Sequence, residues 1–154
     1  MRSTLFRCLV LSLGLSACGD ASIRPEPLLD GATLLLFGDM VEAVNGIATV
    51  VDGAPTIILG TGEVGCGSEE DLPSLSGVNV AISLPSLTPG SHDITATFYR
   101  NVDGERTSRT VTGRFSLYDA SEDSMTVAPQ IIDMNPDEGN ALAIGRSTVV
   151  RCAN

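Results

Sequence analysis

The sequence predicts an all-β domain, an antiparallel β-sandwich of about eight strands, and three features support this prediction. Apolar and polar residues alternate in several runs such as 78–84, a pattern typical of strands with one buried face. Asp-Gly pairs, a strong hairpin signal, separate such runs at 52–53 and 103–104. No segment has a convincing helical period, and short strands at this spacing are typical of a sandwich.

The predicted strands follow one another with few irregular connections. The Asp-Gly pairs join the second strand to the third and the fifth to the sixth, and "NPDEGN" (135–140) is expected to form a longer hairpin loop before the last strand. The long connection 61–76 is the one irregular excursion. In chain order, the strands are expected near residues 32–37, 41–51, 55–60, 77–84, 92–101, 106–118, 124–133 and 140–151.

Two segments resemble parts of known bacterial modules. The run "LTPGSHDITATF" (87–98) resembles a stretch of bacterial immunoglobulin-like and fibronectin-III-like modules, in which leucine, Pro-Gly and a polar residue lead into an alternating strand. The terminal "GRSTVVRCAN" is similar to the ends of small envelope lipoproteins with β-sandwich bodies. These resemblances imply an immunoglobulin-like sandwich, although the chain has no tryptophan for the Cys…Trp…Cys pattern of true immunoglobulin domains.

The first residues have the features of a secretory signal peptide. Residues 1–7 carry two arginines and no acid, and the mostly apolar run 8–15 is much shorter than the roughly 20 residues needed to span a bilayer. The ending Leu15-Ser16-Ala17-Cys18 resembles the bacterial lipobox. That resemblance implies a diacylglyceryl group on the Cys18 thiol and cleavage just before this residue. The alternative is an ordinary signal peptide that is cut nearby.

The lipobox divides the chain into three parts and predicts its location. We expect a signal peptide at 1–17, a lipid-anchored tether at 18–30 and a β-sandwich domain at 31–154. Two or more acyl chains hold a protein stably on a membrane, so Cys18 would be a lasting anchor in the bacterial cell envelope. Gly19, rather than aspartate, follows the cysteine, and the resemblance to lipoproteins of enteric bacteria then implies the outer membrane.

The charge of the chain excludes some partners. There are nine basic and 19 acidic residues, and no lysine. Removal of Arg2 and Arg7 with the signal peptide leaves seven basic residues against the 19 acidic ones, a net charge of −12. Nucleic-acid binding depends on cations that neutralise phosphates, so nucleic acid is excluded as a partner. Anionic headgroups would also repel the body, and the lipid must therefore make the membrane contact.

Two cysteines remain after processing, and we expect them to form a disulfide. Cys66 and Cys152 are the two left over once the others are removed or lipidated, and an oxidising envelope compartment favours a bridge. Two free buried thiols are the alternative. Because Val150 and Cys152 lie on the same face of the last strand, we expect both side chains to point inward. The connection 61–76 would then fold back to bring Cys66 within reach.

One loop has a pattern of oxygen ligands. In "DMNPDEGN" (133–140), Asp133, Asn135 and Asp137 occupy alternate positions, as in a calcium loop. Glutamate stands at the sixth position, where an EF-hand requires glycine, so an EF-hand is excluded and only a looser calcium site is left. Solvated turns are the favoured interpretation, because Asp and Asn are common in turns for conformational reasons. No metal is therefore predicted.

Two further motifs lack the context that their chemistry needs. "GTGEVG" (60–65) fits G-x-G-x-x-G, but a dinucleotide site needs a helix next, and the following "CGSEEDLP" has a proline and three acids that would repel phosphate. His92, the one histidine, lies beside Asp93 in a predicted strand, so the two side chains point to opposite faces and cannot form a Ser-His-Asp relay. We predict no cofactor and no catalytic residue.

The sequence therefore predicts a lipid-anchored lipoprotein of the bacterial envelope with a non-enzymatic domain that acts as a binding or structural module. Its expected contacts are the membrane, through the lipid on Cys18, and an envelope protein or polysaccharide. Two alternatives remain. One is a small envelope hydrolase with paired carboxylates, and the other is a calcium-dependent adhesion module.

Overall fold

The computed structural model describes residues 31–62 and 64–153, so the predicted signal peptide, Cys18 and the tether lie outside the described residues. Among the residues described, no helix is long and apolar enough to cross a membrane. One short 3-10 helix, Ser68–Ser74, lies between β4 and β5. The described strands are β1 (Gly31–Leu36), β2 (Asp39–Ala43), β3 (Asn45–Val51), β4 (Ala54–Gly60), β5 (Gly77–Ser83), β6 (Gly90–Val102), β7 (Glu105–Ala120), β8 (Ser124–Asp133) and β9 (Ala141–Arg151).

The all-β prediction is confirmed, and the strands lie close to their expected positions, with one exception. The predicted strand 41–51 is two strands, β2 and β3, which Val44 separates. The chain changes partner at this residue. β2 pairs with β1, whereas β3 pairs with β4, and the Val44 amide donates to the Gly60 carbonyl at 3.0 Å.

The predicted immunoglobulin-like sandwich is wrong, because the strands close into a barrel. Strands β3 to β8 pair in sequence order, and β9 pairs with both β8 and β3, which makes a closed ring of seven strands. The closing contact is parallel and short, with Ile47 opposite Val150 and Ala48 opposite Arg151. Sandwiches and barrels both bury one face of each strand. The alternating pattern therefore could not distinguish them.

The β1–β2 hairpin lies in a fork between β9 and β3. The first half of β9 pairs with β1, from Leu36–Ala141 to Gly31–Arg146, while its end pairs with β3. The inward side chains Leu34 and Leu36 of β1 are fully buried. The hairpin thus completes the wall where β9 and β3 diverge.

The barrel interior is filled by apolar side chains. Phe98 and Phe115 are completely buried. Full burial of such side chains contributes about 1.5–3 kcal/mol each. They form one continuous core with other buried residues, among them Leu34, Leu36, Ile57, Leu59, Val80, Ile82, Leu117, Val127 and Ile131.

A second, smaller apolar cluster lies on the outside of the barrel. Residues 61–76, which we call the covering loop, pass over β3 and β4. Val64 and Leu72 of this loop pack on the outward side chains Ile47 and Ile58. The end of the loop is held by the fully buried Asn79, whose Nδ2 donates to the carbonyls of Leu75 at 3.2 Å and Ser76 at 3.3 Å.

The predicted disulfide is present, but the prediction that the Cys152 side chain points into the core is wrong. Cys66 and Cys152 are bonded, with Cα atoms 5.5 Å apart. Val149 is buried and Val150 is 57% exposed. The side chains of β9 that point inward are therefore one position away from those that were expected to do so. Cys152 therefore lies on the outer side, against the cluster beneath the covering loop. A shift of one residue exchanges the two faces of a strand.

The disulfide should hold the covering loop against the barrel. We expect Cys152→Ser to lower the free energy of unfolding by about 2–5 kcal/mol, the usual range for a native bridge in a small secreted domain. Urea unfolding measures this change. Limited proteolysis should then cut first within 61–76, while the strands stay resistant. The variant with both Cys66→Ser and Cys152→Ser should behave like the single variant, and an unchanged urea midpoint would show that the bridge does not stabilise this fold.

Candidate functional site

Four apolar side chains form a row across the outside of the barrel. The register places Met40 of β2 opposite Leu35 of β1, Leu35 opposite Leu142 of β9, and Leu142 opposite Ile132 of β8. Directly opposite residues share one face of a sheet. Met40 is 67% exposed and Ile132 64%, and Leu35 and Leu142 are partly buried. We call this row of four side chains the apolar face.

A second row runs beside the apolar face and is polar at its ends. It consists of Glu42, Thr33, Ile144 and Gln130, again placed opposite one another by the register. The Glu42 carboxylate lies over Gly31, where a side chain would collide with it. Beyond Gln130, Arg114 of β7 continues the row. The row thus has a carboxylate at one end, and an amide followed by a guanidinium at the other.

Methionine contributes to the exposed apolar surface. Met40 is 67% exposed, and Met134, two residues beyond Ile132, is 59% exposed. Methionine is unbranched and polarisable, and it adapts to differently shaped partners. Exposed apolar surface on a protein often marks an interaction site.

The two outer apolar surfaces of the barrel differ in how they are covered. The surface on β3 and β4, which includes Ile47 and Ile58, is covered by residues 61–76 and buried. The apolar face on β2, β1, β9 and β8 has no such cover among the described residues, and Met40 and Ile132 remain largely exposed. Of these two surfaces, the apolar face is the one that the described residues leave uncovered.

Two arginines point into the barrel end nearest the apolar face. The Arg109 side chain is only 8% exposed, and its Nη2 donates to Asp133 Oδ2 at 2.6 Å, with Glu138 Oε2 at 3.6 Å. Arg100 donates from Nε to Asp39. A buried cation is stable only when paired. These ion pairs therefore tie the β1–β2 turn and the β8–β9 loop to β6 and β7.

The β1–β2 turn carries an unusual residue. Phe37 has φ 51° and is followed by Gly38 with φ 93°, whereas the predicted Asp-Gly turns place aspartate at the same position. Positive φ is rare for a bulky side chain and costs about 1–3 kcal/mol. The Phe37 ring packs on Gly139, which has no side chain to obstruct it, and the Phe37 amide donates to the Asn140 carbonyl at 3.1 Å. The ring thus covers the β8–β9 loop.

The calcium candidates have other contacts. The Asp133 carboxylate binds Arg109, and Asn135 Oδ1 accepts a hydrogen bond from the Asp137 amide at 3.2 Å. In the part of the chain that the structure describes, no three His, Cys, Asp or Glu side chains lie together as a metal site would require. Asp133 has a structural role here, and the other two residues shape a turn.

The glycine-rich segment and His92 lie in surroundings that do not fit the chemistry suggested by their sequence motifs. After the glycine-rich segment, of which Glu63 lies outside the described residues, the first turn of the 3-10 helix carries Glu69, Glu70 and Asp71, whose charge would repel phosphate. His92 Nε2 lies 2.8 Å from the Thr88 carbonyl. Neighbouring Asp93 lies 3.7 Å from Arg114 on the exposed surface. No catalytic pairing of His92 and Asp93 results.

Two open grooves lie on the outer surface. One, of about 810 Å³, is lined by parts of β5, β6 and β7 that include Thr95 and Arg114. The other, of about 490 Å³, lies at the fork in the sheet and is lined by Glu42 and Arg146, among others. The Arg146 guanidinium lies 4.5 Å from the centre of the Tyr118 ring. Both grooves are shallow parts of the barrel wall, and the apolar face remains the candidate site.

Comparison with known proteins adds no relative. The chain matches no protein family, no curated protein and no solved structure. Sequence reasoning missed the apolar face as well. Its only visible signal was apolar residues at outward positions of predicted strands, such as Ile132, and these become one surface only when the register of four strands is known.

We expect the buried ion pair between Arg109 and Asp133 to stabilise the fold. We expect Asp133→Asn to lower the free energy of unfolding by about 1–3 kcal/mol, because it leaves a buried guanidinium with a weaker partner. The double variant Arg109→Met with Asp133→Leu should lie closer to the wild type, since it removes both charges. The exposed pair supplies the control, and Asp93→Asn should change stability by less than about 0.5 kcal/mol. Equal losses for Asp133→Asn and Asp93→Asn in urea would contradict this assignment.

Proposed function

We propose that this chain is a lipid-anchored protein of the bacterial cell envelope whose barrel is a non-enzymatic binding module. The observation that supports this best is the exposed apolar face on β2, β1, β9 and β8. The binding partner contacts this face. The lipid on Cys18, implied by the lipobox, keeps the module at a membrane.

The exposure of the face fits a binding role. One row of four side chains, on strands about 4.8 Å apart and about 7 Å deep along each strand, gives an area on the order of 130 Å². The barrel buries its other outer apolar surface beneath residues 61–76 and a disulfide, whereas Met40 and Ile132 stay more than half exposed.

The predicted tether precedes β1, one of the four strands of the face. Twelve residues separate Cys18 from Gly31, a reach of at most about 40 Å. Gly31 is the first residue of β1, the strand that contributes Leu35 to the apolar face. A partner on the face is therefore held close to the membrane. The acidic body favours a protein partner over an anionic lipid surface, because the mature chain has seven basic residues against 19 acidic ones.

Anchoring is tested by Cys18→Ala. Without the thiol no lipid can be attached, so the variant should move from the membrane fraction to the soluble fraction of cell lysates. Immunoblots of fractions washed with high salt measure this distribution. Ser16→Thr, which leaves the cysteine in place, is the control. If Cys18→Ala stays bound to the membrane as firmly as the wild type, the lipoprotein proposal is wrong.

Binding through the face is tested by photo-crosslinking in the native cells. A photoreactive amino acid at position 40 or 132 should give a discrete adduct, because both side chains are more than half exposed on the face. The same amino acid at Thr95, an exposed outward position of β6, is the matched control and should give none. Adducts of equal yield at all three positions, or none at positions 40 and 132, would contradict a binding role for the face.

A further inference from the structure

We infer that the groove at the fork of the sheet is the docking site of the chain's own tether, whose last two residues, Leu29 and Asp30, occupy it as an extension of β1. The groove, of about 490 Å³, lies where β9 leaves β1 and joins β3. Gly31, the first residue of β1, is part of its lining. The residues that precede Gly31 therefore begin inside the groove, and this covalent link gives them a far higher effective concentration than a free ligand has.

The pairing of β9 has a gap at this groove. Arg146 lies opposite Gly31 of β1, and Val150 lies opposite Ile47 of β3. Between these positions, the described residues provide no backbone partner for Thr148 on the side of β1 and β3. Thr148 also lines the groove. An unpaired stretch of strand is a template for the pairing of another extended segment.

The backbone of Thr148 points into the gap. The Cys152 amide donates to the Ala48 carbonyl of β3 at 2.9 Å. The Arg151 amide donates to the carbonyl of Asp123, which directly precedes β8, also at 2.9 Å. Because successive residues of a strand direct their amides to opposite sides, Thr148 directs its amide and carbonyl to the same side as Cys152, towards β3 and β1.

An extension of β1 fills the gap in the existing register. The antiparallel pairing of β1 with β9, continued two residues beyond Gly31, places Asp30 opposite Ser147 and Leu29 opposite Thr148. In a hydrogen-bonded antiparallel pair the two residues exchange both backbone bonds, with Cα atoms about 5.5 Å apart. Leu29 thus satisfies the backbone of Thr148, and the Ser147 hydroxyl can donate to the Asp30 carboxylate.

Apolar side chains flank the position that Leu29 takes. Val44 is 67% exposed and Val150 57%, and in the extended register both are diagonal neighbours of Leu29 on the outer face. Long side chains reach such diagonal neighbours. Leucine at this position therefore covers two exposed valines and adds to the apolar surface beside Ile47.

The pairing ends after these two residues. Leu28 would fall opposite Val149, but Gly46 of β3 already lies there, so close that a side chain on Gly46 would come within 2.6 Å of Val149. Pro27 has no amide hydrogen to donate to a strand. Docking thus leaves residues 19–28 as the free part of the tether, with a reach of at most about 35 Å, and fixes the fork as the place where it leaves the barrel.

Disulfide trapping in the full chain tests the register. Leu29→Cys with Thr148→Cys should form a second disulfide, because the paired Cα atoms lie within the range of about 4.4–6.8 Å that a bridge requires. Leu29→Cys with Arg146→Cys is the matched control. Arg146 is on the same face of β9 and directly opposite Gly31, so an undocked segment would reach it at least as easily. Alkylation under denaturing, non-reducing conditions and peptide mapping measure both bridges.

We expect the bridge to position 148 in about fivefold higher yield than the bridge to position 146, which is only a diagonal neighbour in the docked register. Equal yields, or a higher yield at position 146, would overturn the inference. Both substituted positions of β9 are exposed, so the fold should tolerate either change.

Hydrogen exchange gives an independent readout of the same pair. Leu29→Pro removes the amide that donates to the Thr148 carbonyl, and the Thr148 amide should then exchange about tenfold faster. Ile23→Pro, farther from the barrel, is the control and should leave the rate unchanged. Mass spectrometry of the segment 147–150 in the full chain measures the exchange. The same rate in Leu29→Pro and in the wild type would contradict the docking.

The docking and the proposed anchoring fail separately. Neither experiment on the docking requires a lipid, so a failure there overturns the docking and leaves the lipoprotein proposal standing. Membrane binding that survives Cys18→Ala overturns the lipoprotein proposal and leaves the pairing of Leu29 with Thr148 standing.

Discussion

The pairing of β9 with three other strands is the constraint on which the structure depends. β9 pairs with β8 on one side and, on the other, with β1 along its first half and with β3 at its end. These contacts close the barrel and fix the β1–β2 hairpin in the fork of the sheet. They also place Cys152 beneath the covering loop. Removing this strand would open the core around Phe98 and Phe115 and leave β8, β1 and β3 each without a partner along one edge.

Closure of the barrel leaves apolar side chains on its outer surface, and the described residues cover them on one side. A wall of strands has an outer as well as an inner surface, and Ile47 and Ile58 are outward apolar residues that need cover. Residues 61–76 and the disulfide provide it. On β2, β1, β9 and β8 no described residues provide such cover, and Met40 and Ile132 stay exposed. The proposed binding function rests on this difference between the two sides of the barrel.

The ion pairs at the barrel end also affect the apolar face. Asp39 directly precedes Met40, and Asp133 directly follows Ile132. Each carboxylate is drawn inward to an arginine, Asp39 to Arg100 and Asp133 to Arg109. Alternation along a strand sends neighbouring side chains to opposite faces. The negative charges are therefore held away from the row, which leaves both ends of the face apolar.

By itself the sequence determined the local features. The strand positions follow from the alternation of apolar and polar residues, and the turns follow from the Asp-Gly pairs. The two bridged cysteines follow from elimination of the other two. Tertiary structure alone decided that 41–51 divides at Val44, that Cys152 faces outward, and that Met40, Leu35, Leu142 and Ile132 form one row. It also decided that the sheet closes, through Ile47 opposite Val150. The reason is physical, since period-2 patterning specifies which residues share a face of one strand but carries no information about which distant strand completes the sheet.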